Sequence, residues 1–88
     1  MRCIFKYQIS YSVETTKIEM PISSKIISVG LDPQGDLCIW AIVDPEEGKS
    51  TREFIVVGTG WPMEDSLEYW TFIGTVKQGP YMWHVFEI

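Results

Sequence analysis

Apolar residues recur at every second position along most of the chain, the period of a β-strand that turns one face to a core. Residues 3–9 put Phe5, Tyr7 and Ile9 on one face and Lys6 and Gln8 on the other. Residues 13–20 set Val13, Thr15, Lys17 and Glu19 against Thr16, Ile18 and Met20, as expected of an edge or half-exposed strand. Pro21 ends it, because proline has no N–H to give to a ladder. Residues 25–32 form a third strand, closed by Asp32-Pro33-Gln34-Gly35, with Pro second and Gly fourth as in a type I turn. Residues 36–44 are apolar on both faces: Leu37, Ile39, Ala41 and Val43 on one, Cys38, Trp40 and Ile42 on the other. That pattern predicts a central strand covered twice, by a second sheet or by another subunit.

The loop Pro45-Glu46-Glu47-Gly48-Lys49 delivers the chain into a strand over 51–59, which Gly58-Thr59-Gly60-Trp61-Pro62 breaks. Residues 63–68 are polar and suit at most one short helical turn, since Pro62 is tolerated at a helix start and Glu64 and Asp65 favour its N-terminal dipole. Residues 69–77 and 81–88 make a last hairpin around Gln78-Gly79-Pro80. Seven short antiparallel strands in one domain over residues 1–88 predict an all-β fold, a small sandwich or barrel.

Of 88 residues, 45% are hydrophobic and 14% aromatic, and mean hydropathy is near zero, which excludes a disordered chain. A core this small houses four tryptophans with difficulty if every indole N–H is to find a partner. Part of the aromatic surface is therefore expected to meet another chain or a flat ligand. The net charge of −5 opposes a phosphate backbone, so neither DNA nor RNA is an expected partner. It leaves room for a small anion held by local basic groups or backbone N–H groups. Cys3 and Cys38 lack metal-ligand spacing and lie in apolar runs, where reduced, packed thiols are expected. No apolar stretch has the length of a membrane span, and residues 1–6 contain no signal-peptide core, so a soluble protein of a reducing cytosol is expected.

The inventory for catalysis is thin: one histidine, His84, and no nucleophile motif, metal-ligand set or cofactor signature. The chain is expected not to be an enzyme and to use no metal or cofactor. His84 alternates with Met82 and Phe86, which read as core-facing, so a buried, hydrogen-bonded imidazole is expected. Gly58-Thr59-Gly60 opens from a strand end and offers consecutive N–H groups and a hydroxyl to an anion. Trp61 follows in a turn, where a large aromatic gains little from packing alone. The candidate ligand-binding residues are accordingly Trp40, Trp83 and Trp61 for stacking, Thr59, Gly60 and His84 for hydrogen bonds, and Arg52 and Lys77 for negative charge.

Read together, Ile18-Glu19-Met20-Pro21, the run Leu37 to Glu46 (LCIWAIVDPE), Gly58-Thr59-Gly60-Trp61-Pro62 and Trp83-His84-Val85-Phe86-Glu87 follow one order. That order resembles a widespread family of short bacteriophage proteins catalogued as a domain of unknown function, in which His often stands where this chain has Trp61. The resemblance covers nearly the whole chain. It implies a phage origin and action in the cytoplasm of an infected bacterium. It also implies the class of small oligomeric β-proteins that sequester cyclic nucleotide signals of host immunity such as CBASS. The expected partners are then the chain itself, as a homo-oligomer such as a tetramer, and a cyclic dinucleotide or similar small anionic nucleotide. The alternative expectation is an inhibitor or structural interaction module that docks on a host protein.

Overall fold

A computed structural model describes residues 1–12, 14–63 and 69–88. The strands are β1 (Cys3–Gln8), β2 (Thr16–Pro21), β3 (Lys25–Leu31), β4 (Leu37–Val43), β5 (Lys49–Gly58), β6 (Thr71–Gln78) and β7 (Tyr81–Glu87). They form two sheets, a three-stranded one in the order β1-β4-β3 and a four-stranded one in the order β2-β5-β7-β6, with every pair antiparallel. The fold is an all-β sandwich. The expected strand over 13–20 begins only at Thr16; Val13 and residues 64–68, most of the expected helical turn, lie outside the described residues.

The core is filled from both sheets by Ile9, Leu37 and Ile39 on one side and Ile18, Met20, Phe54, Val56, Val76 and Val85 on the other. In the three-stranded sheet, Phe5, Tyr7, Ile39 and Ala41 share the inner face by register. β4 carries apolar residues outward as well, but its second cover comes from its own sheet. Cys38 is buried beneath a Lys6–Asp32 ion pair of 2.8 Å, and Trp40 is half-buried over Gly30. Two of the four sheet edges, β3 and β6, run close together and join the two sheets along one side of the sandwich. A Cβ on Gly74 of β6 would stand 2.6 Å from Val29 Cγ1 of β3.

Turn chemistry sets the connections. Gly35 N–H donates to the Asp32 carbonyl across 2.8 Å, closing the expected Asp32–Gly35 turn. Gln78 pairs with Tyr81, leaving Gly79 and Pro80 as a two-residue hairpin loop. Gly79 has φ +57°, and the proline after it has φ fixed negative, the sign pattern of a type II′ turn. Two expectations are corrected. On β7 the core-facing residue is Val85, with half-buried Trp83 beside it, so His84 with Met82 and Phe86 occupies the outer face. Cys3 is exposed on the sandwich's margin, while Cys38 is buried as expected.

Candidate functional site

β5 ends in Gly58, and the chain turns at once. Trp61 N–H donates to the Gly58 carbonyl (3.0 Å), with Gly60 at φ +87° in the third position, where a type II turn demands a residue free of a Cβ clash. The turn folds the Trp61 indole back over Gly58 so closely that a Cβ there would lie 2.8 Å from Cε2 and 2.9 Å from Nε1. Glycine at 58 is what lets the ring approach the backbone. Trp61 then meets Trp83 edge-on, centroids 5.5 Å apart. Tyr81 stacks with Trp83 at 5.9 Å, and Tyr11, from the segment after β1, tilts against Trp83 at 4.9 Å.

Trp61, Tyr81 and Trp83 gather at one end of the sandwich around an open pocket of about 330 Å³, lined also by Gly58, Thr59, Pro80 and Met82. Trp83 is fixed in place: its Nε1–H donates to Gln78 Oε1 at 3.0 Å. Trp61 and Tyr81 remain 40% and 61% exposed, so aromatic surface is on offer to a ligand. The Tyr11 hydroxyl is buried without a hydrogen-bond partner among the described residues. Burial raises its phenol above the ordinary value, an effect the nearby Gln78 side chain offsets in part.

Thr59 stands at the rim. Its N–H donates to the Met82 carbonyl (3.3 Å), and its hydroxyl lies 2.8 Å from His84 Nε2. His84 Nδ1 is 3.0 Å from Thr75 Oγ1. A neutral imidazole has one N–H, so one threonine donates to the ring and the other accepts from it. If Nδ1 carries the proton, Thr59 gives its own to Nε2 and turns only oxygen lone pairs toward the pocket; in the other tautomer it keeps a proton to donate.

Of the residues expected from sequence, Thr59, Gly60, Trp61, Trp83 and His84 come together here. Lys77 is exposed on the adjoining outer face, opposite Met82 in the β6–β7 register. Trp40 lies on the outer face of the other sheet and does not line this pocket. Arg52 is six residues up β5 from Gly58, about 20 Å along the strand. It is held by a bidentate ion pair to Glu87 (2.6 and 2.7 Å) and by a 2.6 Å donation to the Ser24 carbonyl. The Glu87 carboxylate raises the guanidinium's pKa, so its charge is already answered within the fold. The Gly58–Trp61 turn likewise spends the Thr59 and Trp61 amides internally; the Gly60 N–H makes no backbone hydrogen bond among the described residues.

Sequence reasoning missed Tyr11, Thr75, Gln78, Pro80, Tyr81 and Met82. Thr75 was within reach, since a two-residue loop at Gly79-Pro80 pairs Gln78 with Tyr81 and counts back to Thr75 opposite His84. Tyr11 carried no signal, because it reaches Trp83 only through the tertiary fold.

A family model described as a domain of unknown function, DUF7352, matches residues 1–88. The chain belongs to this family. No curated protein and no solved structure matches it significantly. A stacking surface fixed at Trp83, an exposed indole and phenol, and one polar rim held by Thr59 and His84 suit a flat, partly polar ring.

Proposed function

We propose that this chain is a non-enzymatic binding protein that sequesters a small nucleotide, a cyclic dinucleotide first among them, as a homo-oligomer in a phage-infected bacterium. The observation that carries the reading is the Trp61–Trp83–Tyr81 pocket with Thr59 at its rim. A nucleobase stacked on Trp61 or Tyr81 gains about 1–3 kcal/mol, whatever its identity. The Thr59 hydroxyl and the Gly60 N–H face polar ring or sugar atoms, and Lys77 is the nearby cation for phosphate. At 330 Å³ the pocket has room for one base. A ligand with two bases thus engages two copies of the chain, which ties oligomerisation to sequestration. His84 faces two hydroxyls and no carboxylate in its hydrogen bonds, an arrangement that orients Thr59 and supports a binding role over catalysis. The phage setting and the nucleotide signal rest on the family resemblance of the sequence.

Titration calorimetry against a panel of cyclic dinucleotides tests this. Saturable heat is expected with at least one of them, and Trp61→Ala should weaken it about 5- to 150-fold, the loss of one stacking contact. Absence of heat with every member at high micromolar concentration overturns the ligand class. Ligand released by heating should be chemically intact; fragments would mean an enzyme.

A second reading is favoured by a different observation. The outer face of the four-stranded sheet carries a rank of aromatics, Trp70 and Phe72 against Phe86, with Phe72 57% exposed. A host protein docked there would bind Trp61→Ala normally and lose affinity for Phe72→Ser.

A further inference from the structure

Four strand edges end the two sheets, and three are guarded. β3 and β6 face each other across a tight seam. β2 carries Lys17 and Glu19 outward and ends in Pro21, devices that discourage a further strand. β1 has no such guard. Its ladder to β4 fixes which groups are free: Ile9 N–H donates to the Leu37 carbonyl, its direct opposite in the register, so the odd-numbered residues bond inward. The N–H and C=O groups of Ile4, Lys6 and Gln8 therefore point out from the open edge. Ile4 and Phe5 are 58% and 41% exposed on the two sides of that strand. The charge that ordinarily protects such an edge is diverted, because Lys6 leans across its sheet to Asp32 at 2.8 Å.

We propose that β1 pairs with β1 of a second copy, antiparallel about a two-fold axis at Phe5, joining two three-stranded sheets into one of six. The register follows from charge and hydrogen-bond phase. An axis at Lys6 sets Lys6 against itself, and an axis at Ile4 sets Arg2 against Lys6; like charges directly opposite are destabilising. An axis at Tyr7 leaves only a short overlap before the strand ends at Gln8. The axis at Phe5 matches the outward groups of Ile4 to those of Lys6 in the other copy. It brings the two Phe5 rings together as a non-hydrogen-bonded pair and puts Cys3 opposite Tyr7. This deepens the homo-oligomer part of the function proposed above and does not depend on the ligand.

Ile4→Pro is the discriminating variant, since it removes an outward N–H while every β1–β4 bond survives. Light scattering over a concentration series should give about twice the chain mass for the wild type and the single-chain mass for Ile4→Pro, with the far-UV spectrum retained. In a Cys3→Ser background, Phe5→Cys should form a disulfide-linked dimer on mild oxidation. Non-hydrogen-bonded partners sit about 4.5 Å apart at Cα, within reach of a disulfide. A wild type that stays monomeric at all concentrations overturns both this interface and the homo-oligomer. An oligomer that persists in Ile4→Pro, or a dimer that Phe5→Cys does not cross-link, overturns the β1 interface and leaves oligomerisation by another face.

Discussion

Asp32 shows how much a single side chain holds in so small a fold. Its carboxylate is buried; it accepts from Lys6 Nζ at 2.8 Å and from the Gln34 and Asp36 amides at 3.0 and 2.9 Å, and it overlies the Cys38 thiol. The Lys6 hydrogen bond first, then the Asp36 amide, hold the carboxyl below its ordinary value of 3.8, and the same bond to Asp32 raises Lys6 above 10.5. A carboxylate whose pKa falls on folding stabilises above its unfolded value and loses that contribution as pH drops through the folded one. A raised ammonium stabilises below its unfolded value and loses that contribution as pH rises through the folded one. The pair's contribution is therefore constant through neutral pH, declines below 3.8 and declines again above 10.5. In thermal unfolding followed against pH, Asp32→Asn should lie below the wild type at neutral pH and converge on it in acid. Parallel curves would show that the carboxylate's charge does not matter. Burial, with Asp32 as a second cause, also raises the Cys38 thiol, which keeps it protonated and inert beside this pair.

Among the elements, the β3–β6 seam decides whether two sheets behave as one body. Both strands carry an irregularity on this stretch, between Ile26 and Ser28 in β3 and between Phe72 and Gly74 in β6. Such bulges strengthen local twist and turn edges aside from pairing. Gly74 lets the two strands approach, and its missing Cβ is replaced by Val29 Cγ1. Gly74→Ala forces one of them to move, and overpacking of this kind costs about 1–3 kcal/mol. The urea midpoint should fall accordingly, and Val29→Ala in the same chain should restore part of it; an unchanged midpoint for Gly74→Ala would mean that the seam yields freely. Alternation located all seven strands to within a few residues, but bulges are invisible to it, since one extra residue reverses every later side chain. β7 escaped it for another reason. Met82, His84 and Phe86 alternate with Trp83 and Val85 without a clear contrast in polarity, and it is the packing of Val85 with its register partner Val56 into the core that separates the two sets.

At the scale of the molecule, the two ends of the sandwich differ in construction. One end is fastened by Arg52, which joins Glu87 of β7 to the Ser24 carbonyl between β2 and β3. The other end is left open by Gly58 and furnished with aromatic rings. Arg52→Gln should lower stability by about 1.5–3 kcal/mol, the range for hydrogen bonds to charged groups, in chemical denaturation. On the proposed nucleotide-binding reading, ligand affinity measured by calorimetry on the folded Arg52→Gln protein should match the wild type's; a parallel loss of affinity would put Arg52 back among the proposed ligand contacts.

Patterns local to the chain are enough for the strands, the Asp32–Gly35 turn, the Gly79-Pro80 hairpin and the break in the chain at Gly58-Thr59-Gly60. Each of these depends on residues that are neighbours along the chain, where alternation and turn chemistry act. Folding in three dimensions selects which strands share a sheet, spends Arg52 on Glu87, and brings Tyr11, Trp61, Tyr81 and Trp83 into one cluster while Trp40 stands apart. Those outcomes depend on contacts between residues tens of positions apart, where the same apolar pattern is compatible with many pairings and packing selects one.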